Sequence, residues 1–318
     1  MYYIGIDLGG TNIAAGIVDG QFRIVKKAST PTKANRPADE IVDDMAKLCH
    51  SLVKECGIAM EDIAYAGIAT PGTANSDTGV VEYANNLPFC QYPIADKLKE
   101  RFPVAAVYIE NDANAAAKGE AVAGVAKDAK YSVMVTLGTG VGGGMVFDGK
   151  VYSGFNYAGA ELGHMVIEHN GRPCSCGRKG CWEAYSSATG LIRMTKEKLE
   201  KTPKGETLMW DLVDGDINNV SGKTAFAAAR QGDRAGQEIV DEYISYLACG
   251  ITNVINIFQP DVLSIGGGIC NEKEFLLNPL MEIVNREQYT RNSPRKTQVK
   301  IAALGNDAGI LGAALLRV

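Results

Sequence analysis

One pattern occurs twice in this chain and restricts its fold more than any other: an apolar strand, a glycine-rich turn, then strands that close a hairpin. In the first copy the strand Tyr2–Asp7 runs into Gly9-Gly10. The strands Ala14–Val18 and Phe22–Ala28 follow, with Asp19-Gly20 as their turn. In the second copy Tyr131–Leu137 leads into Gly138-Thr139-Gly140-Val141-Gly142-Gly143-Gly144, and Met145–Phe147 pairs with Lys150–Tyr152 around Asp148-Gly149. The repetition predicts a duplicated α/β fold whose two polar-tipped loops close around one ligand. A single glycine-rich turn is usually only a turn. Two of them, with Gly266-Gly267-Gly268 after the strand Val262–Ile265, point to phosphate, because backbone N–H groups uncovered by side chains cradle phosphate oxygens. Thr11 and Thr139 add hydroxyl donors, and Asp7, at a strand end beside such a loop, suits a hydrated Mg²⁺ on the phosphates.

The remaining elements fit this frame. Pro37–Cys56 is helical, with Ile41, Met45, Leu48 and Leu52 on one face. Ala64–Ala69 is a strand ended by Pro71-Gly72, Val104–Glu110 is another, and Asp112–Ala123 is an alanine-rich helix. The order predicts a mixed sheet with helices on its faces. Downstream, Ser187–Leu199 is helical, Thr202–Ser221 is a polar surface excursion, and Asp233 caps a long helix carrying Ile239, Tyr243, Leu247, Ile251, Val254 and Phe258. Asp307 is expected to cap a last helix, Gly309–Leu316.

At 318 residues, with 46% hydrophobic and 22% charged, the chain suits two soluble domains. A net charge of −5 without a Lys/Arg block argues against a nucleic-acid partner. No apolar run approaches the roughly 20 residues that span a membrane. Met1 leads straight into a strand, so no targeting segment is visible and a cytoplasmic protein is expected.

Three of the eight cysteines, Cys174, Cys176 and Cys181, form a Cys-x-Cys-x4-Cys run, with His164 ten residues upstream. Three thiolates and an imidazole complete a tetrahedral Zn²⁺ shell, leaving no open position, so the metal would be structural. Disulfides fit poorly in a chain without a secretion signal, and Gly177 and Gly180 supply the turns of a knuckle. Two carboxylates, Glu161 and Glu183, bracket the ligands.

Taken together, Asp7-x-Gly9-x-Thr11, Asn111-Asp112, the run from Leu137 to Gly144, Glu161-x-x-His164, the cysteine run ending in Glu183, and Gly266-Gly267-Gly268 resemble the ROK family of sugar kinases over essentially the whole chain. The resemblance implies the two-lobed actin-like ATPase (ribonuclease H-like) fold and an ATP-dependent hexose kinase acting at the 6-hydroxyl, with glucose as the expected substrate. It implies nucleotide contacts at Asp7, Gly9, Gly10, Thr11, Asn12, Gly138, Thr139, Gly140, Gly267 and Gly268. Sugar contacts are implied at Gly72, Asn86, Asn111, Asp112, Glu161, His164 and Glu183, where carboxylates would grip vicinal hydroxyls.

Asp112 takes the role of catalytic base by this similarity, accepting the proton of a hydroxyl that is otherwise a poor nucleophile. Helix capping is the competing explanation for an Asn-Asp pair at a strand–helix junction. His164 would ligate zinc through one ring nitrogen and reach the sugar with the other. The expected lobes are residues 1–110 with 307–318, and residues 111–306, hinging to exclude water. A homo-oligomer is expected, a dimer or tetramer. The rival sugars are N-acetylglucosamine, N-acetylmannosamine, fructose and allose. The non-enzyme rivals are a filament-forming actin-like protein and a ROK-type transcriptional repressor. The repressors carry an extra N-terminal helix-turn-helix, for which a phosphate loop starting at Asp7 leaves no room.

Overall fold

The computed structural model describes residues 1–318. The first sheet comprises β1 (Tyr2–Leu8), β2 (Asn12–Asp19), β3 (Ile24–Pro31), β4 (Ile63–Thr70) and β8 (Val107–Asn111), in the order β3-β2-β1-β4-β8. β1, β2 and β3 form an antiparallel meander, and β4 and β8 add in parallel. β5 (Thr73–Asn75), β6 (Val80–Tyr83) and β7 (Cys90–Tyr92) make a small antiparallel sheet. The strands of the second sheet are β9 (Tyr131–Leu137), β10 (Val141–Phe147), β11 (Lys150–Val151), β12 (Val262–Gly266) and β13 (Gln298–Ile301). Their order, β11-β10-β9-β12-β13, repeats that of the first sheet, so the duplication seen in the sequence is a duplication of topology.

The chain divides into two compact units: Met1–Met134 with Gly144–Ala160 and Ala302–Val318, and Val135–Gly143 with Glu161–Ile301. In the first, helix α1 (Ala38–Cys56) buries Ile41, Met45 and Leu52 as expected, and α2 (Ile94–Arg101) buries Ile94 and Leu98. Helix α3 (Asp112–Ala123) and the C-terminal helix Ala308–Ala314 pack tightly together. A Cβ at Gly312 would overlap the carbonyl of Ala115, and one at Gly119 would come within 2.8 Å of the Ala308 carbonyl. Small residues thus let two helix backbones approach, which explains the alanine-rich sequence of α3. It also explains why α3 groups with the first unit here, whereas the expected division placed residues 111–123 in the second lobe.

The second unit contains α4 (Glu183–Ser186), α5 (Ala188–Glu200), α6 (Met209–Leu212), α7 (Thr224–Ala229), α8 (Arg234–Phe258) and α9 (Glu274–Glu287). α8 is the long helix expected, and the Asp233 carboxylate accepts from the Gly236 N–H at 2.7 Å, as a cap should. The same carboxylate accepts from Thr207 Oγ1 and the Leu208 N–H. The segment expected as a surface excursion therefore folds inward there: α6 lies within it, and Met209 and Val213 are buried.

Three other expectations change. The glycine loops are shorter than expected, because β2 begins at Asn12 and β10 at Val141. Gly144 is a strand residue whose missing Cβ makes room for Ala113 of α3. Asp307 does not cap the last helix. It has helical angles itself (φ −91°, ψ −7°), so its carboxylate cannot reach back, and it pairs instead with Lys27 Nζ at 2.5 Å. The turn Asp148-Gly149 is as expected, with φ of 50° and 75° closing β10 against β11.

Candidate active site and metal centre

In the first unit the relevant side chains gather at the C-terminal ends of β1, β4 and β8. The turn after β1 is closed by the Gly9 N–H donating to the Asn12 carbonyl at 2.9 Å. Thr32, fully buried just after β3, fixes the same turn: its hydroxyl donates to the Gly9 carbonyl at 2.6 Å and its N–H to the Thr11 carbonyl at 2.8 Å. Thr11 is left exposed. Asn86, in the loop between β6 and β7, lies over Gly10, its Nδ2 2.9 Å from where a Cβ would stand.

β8 delivers the Asn111-Asp112 pair. Asn111 is the residue that caps α3, its Oδ1 accepting from the N–H groups of Ala113 and Asn114 at 2.9 and 3.2 Å. Asn111 Nδ2 donates to the Gly72 carbonyl at 3.2 Å. Capping is thus carried by Asn111, and Asp112 occupies the first helical turn with an exposed side chain. Asp112 accepts from the Ala113 N–H at 2.9 Å. Desolvation nevertheless pushes its pKa up, against the opposing pull of that N–H and of Asn111.

Asp7 stands close enough to feel it: burial first, then the charge of Asp112, lift Asp7 to about 6. A pair of mutually repelling carboxylates, both oxygen donors, fits a hard divalent cation.

Beneath them Glu110 is buried and holds the strand–helix junction. It accepts from the Asn111 N–H at 3.0 Å, Asn114 Nδ2 at 3.1 Å and Ser153 Oγ at 3.2 Å.

In the second unit the loop Gly138-Thr139-Gly140 is pinned to the start of α5. Ala188 N–H donates to the Gly138 carbonyl at 2.9 Å, and Thr189 Oγ1 to the Thr139 carbonyl at 2.8 Å. Glu183 braces the loop from the other side: its Oε2 accepts from the Val141 N–H at 3.0 Å. A Cβ at Gly140 would stand 2.3 Å from that carboxylate, so a side chain there would push Glu183 off the Val141 N–H. Gly267, at φ 104°, packs on the Leu137 backbone immediately before the loop, and a Cβ there would overlap the Leu137 carbonyl. The glycine turns of the second unit that were expected to contact nucleotide, Gly138–Gly140 and Gly267-Gly268, are therefore brought together.

The cysteine segment folds as a knuckle. Gly177 N–H donates to the Cys174 carbonyl and Cys174 N–H to that of Arg178, with Gly177 and Gly180 at φ 88° and 78°. His164 Nδ1 and the sulfurs of Cys174, Cys176 and Cys181 all lie within 4.8 Å of one another. The Cys174–His164 and Cys176–Cys181 separations are both 3.7 Å. A tetrahedron with Zn–S bonds of about 2.3 Å has S···S edges of about 3.8 Å, which these two separations match, so the cluster has the composition and spacing of a zinc site.

The Arg178 backbone N–H pulls the Cys176 thiol pKa down, which favours the thiolate a metal needs. Glu183 adjoins this cluster, its Oε1 accepting from Ser175 Oγ at 3.4 Å and 3.8 Å from Cys174 Sγ. His164 closes a short 3-10 turn, Leu162–His164, that starts after the exposed Glu161, and the close approach of Gly163 to the Val141 carbonyl seats this turn on β10.

The sequence pattern of the ROK family matches residues 3–318. This chain belongs to the ROK family. Among curated ROK relatives, glucokinase from Thermotoga maritima is 37% identical over 98% of this chain and 95% of its own length. Glucokinase from Streptomyces coelicolor is 35% identical over 98% and 96%. Among solved structures, a ROK family glucokinase from Streptomyces griseus in complex with glucose and AMPPNP superposes with a TM-score of 0.81 at 33% identity, covering 99% of this chain and 98% of that one. The ROK fold, the two-lobed actin-like ATPase architecture expected from the sequence, is thereby established for this chain.

Two residues that hold the candidate site are not among those the sequence singles out. Thr32 lies in no motif, and its role depends on β3 returning beside β1. Glu110 is the residue before Asn111-Asp112; its position at the strand end was a usable signal, but a carboxylate there reads as surface until burial is known.

Proposed function

We propose that this protein is an ATP-dependent glucokinase, transferring the γ-phosphoryl group of ATP to the 6-hydroxyl of glucose. The observation that carries this reading is the division of labour at the β8–α3 junction: Asn111 takes the cap, and Asp112 stands accessible with a raised pKa. A carboxylate so placed accepts the sugar hydroxyl proton as the new P–O bond forms, and the proton stays on its oxygen until product leaves.

The other assignments follow the same reading. Gly9, Gly10, Thr11, Asn12, Gly138, Thr139 and Gly140 bind the phosphates, and Gly267 and Gly268 the adenosine. Gly72, Asn86, Asn111, Glu161, His164 and Glu183 bind the sugar with Asp112. His164 Nε2 is free for this if Nδ1, the nitrogen nearest Cys174, ligates zinc. Asp7 holds Mg²⁺, which when bound neutralises phosphate charge. Zinc on His164, Cys174, Cys176 and Cys181 is structural and fixes the loop bearing Glu183. No helix is long and apolar enough to cross a membrane, which agrees with the cytoplasmic location we infer. We further infer a homo-oligomer.

An ADP-release assay across glucose, fructose, allose, N-acetylglucosamine and N-acetylmannosamine tests the proposal. The highest kcat/KM should belong to glucose. A higher value for an N-acetylhexosamine would replace the substrate assignment, and no turnover of any sugar would end the kinase reading.

A further inference from the structure

The first glycine loop is held from behind by more than Thr32. Thr32 engages two main-chain oxygens of the loop, those of Gly9 and Thr11. In a planar trans peptide the C=O and the following N–H point in opposite directions. Fixing the Gly9 carbonyl therefore fixes the direction of the Gly10 N–H, a donor of the kind that cradles phosphate oxygens. How well that donor is aimed depends on what holds Thr32.

Arg36 holds it. Its Nε donates to the Thr32 carbonyl at 3.0 Å, and its Nη1 donates to Asp44 Oδ2, in the second turn of α1, at 2.6 Å. Thr32 is fully buried, so its carbonyl is costly to leave unpaired. The turn between β3 and α1 is irregular: Lys33 has φ 52°, and no side chain caps the helix. Arg36 spans this turn, with one nitrogen on the end of the strand and another on the helix. Asp44 has a second partner in Lys47 Nζ at 3.1 Å, so it does not depend on Arg36 alone for a counter-charge. A lysine could not replace Arg36 in both bonds, because its single nitrogen lacks the divergent donors of a guanidinium.

We infer that Arg36 is a positioning residue for the nucleotide: by fixing Thr32 it sets the Gly9-Gly10-Thr11 loop, and ATP affinity depends on it. The inference rests on the reading of that loop as a phosphate site, but not on which sugar is phosphorylated.

Calorimetry of AMPPNP binding to the full chain tests it. Arg36→Ala should weaken AMPPNP about fivefold, the effect of one net hydrogen bond, while glucose affinity stays within about twofold. In steady state KM for ATP should rise in parallel, with kcat at saturation moving far less. Because Arg36 acts through Thr32, the same change in a Thr32→Val background should add less than about twofold. If Arg36→Ala does not fold, Arg36→Lys takes its place; it keeps a cation for Asp44 and should still weaken AMPPNP. The inference is overturned if the variant binds AMPPNP as tightly as the parent, if glucose affinity falls equally, or if the Arg36 and Thr32 effects are fully additive. A parent chain that binds no AMPPNP would end the phosphate reading of the loop and this inference with it. A chain that binds AMPPNP but phosphorylates no sugar loses only the glucokinase assignment, and the variants still decide the role of Arg36.

Discussion

The two glycine loops have the same place in two copies of one topology, yet different groups hold them. Gly9-Gly10-Thr11 is fixed by a neutral residue, Thr32, through two hydrogen bonds inside a β-meander. Gly138-Thr139-Gly140 is fixed by a carboxylate, Glu183, whose other oxygen adjoins the Cys/His cluster. The first loop is a product of sheet pairing and should keep its shape whatever happens to the metal. The second is wired to the knuckle, so metal, Glu183 and loop should respond together. Duplication supplied one frame, and the two halves were then stiffened by unrelated chemistry.

The largest expected effect lies on the first unit. Asp112→Asn should lower kcat by at least about 10²-fold, the usual scale for losing a general base. Glucose affinity by calorimetry should persist, because Asn111 still caps α3. Near-normal turnover would remove Asp112 from the mechanism. In the parent enzyme, the raised Asp112 pKa means that kcat should fall as pH drops through it, and the Asn variant should lack that limb.

Next comes the knuckle. Cys176→Ser should release zinc and, through Glu183, raise KM for both ATP and glucose by roughly 10- to 100-fold. Elemental analysis gives the first quantity and steady-state kinetics the second. A metal-free variant with unchanged KM for ATP would break the proposed link between cluster and loop.

A smaller effect concerns Asp7. Its folded pKa of about 6 lies above the 3.8 of an unperturbed Asp, so ionisation opposes folding at neutral pH. The stability associated with its protonated form is complete below about pH 4 and lost as pH rises through about 6. Asp7→Asn should therefore be more stable than the parent by roughly 1–2 kcal/mol at pH 8, after allowing for solvent screening, and lose that advantage at pH 4. Urea unfolding at both values decides it, and an equal difference at both would mean the carboxylate is not strained.

The smallest is Thr32→Val, which removes one buried hydroxyl bond for about 1 kcal/mol. It should raise KM for ATP a few-fold while zinc content stays unchanged. If zinc were lost as well, the two loops would not be independently braced.

Much of this is legible in the sequence, and the reason is the same in each case: the signal is local. The strand–turn–hairpin units, the Cys-x-Cys-x4-Cys spacing with His164, the cap of α8 at Asp233 and the Asp148-Gly149 turn all depend on residues a few positions apart, where backbone geometry alone fixes what can meet. The sequence by itself thus determined the doubled topology, the four clustered metal-type donors and the placement of Asn111-Asp112 at a strand–helix junction. It did not determine which of that pair caps the helix, since either side chain can; the path of α3 settled the matter for Asn111.

Only the tertiary structure decided that Thr32 locks the first loop, that Glu183 braces the second, that Glu110 is buried, and that α3 joins the first unit through Ala115, Gly119 and Gly312. Those partners are brought together by the return of distant strands and helices. Asp307 shows the converse: a side chain with the right local spacing for a cap was drawn instead to Lys27, 280 residues away. Local preference is worth about 1 kcal/mol at a helix end, and a backbone already committed to helical angles there leaves it nothing to act on.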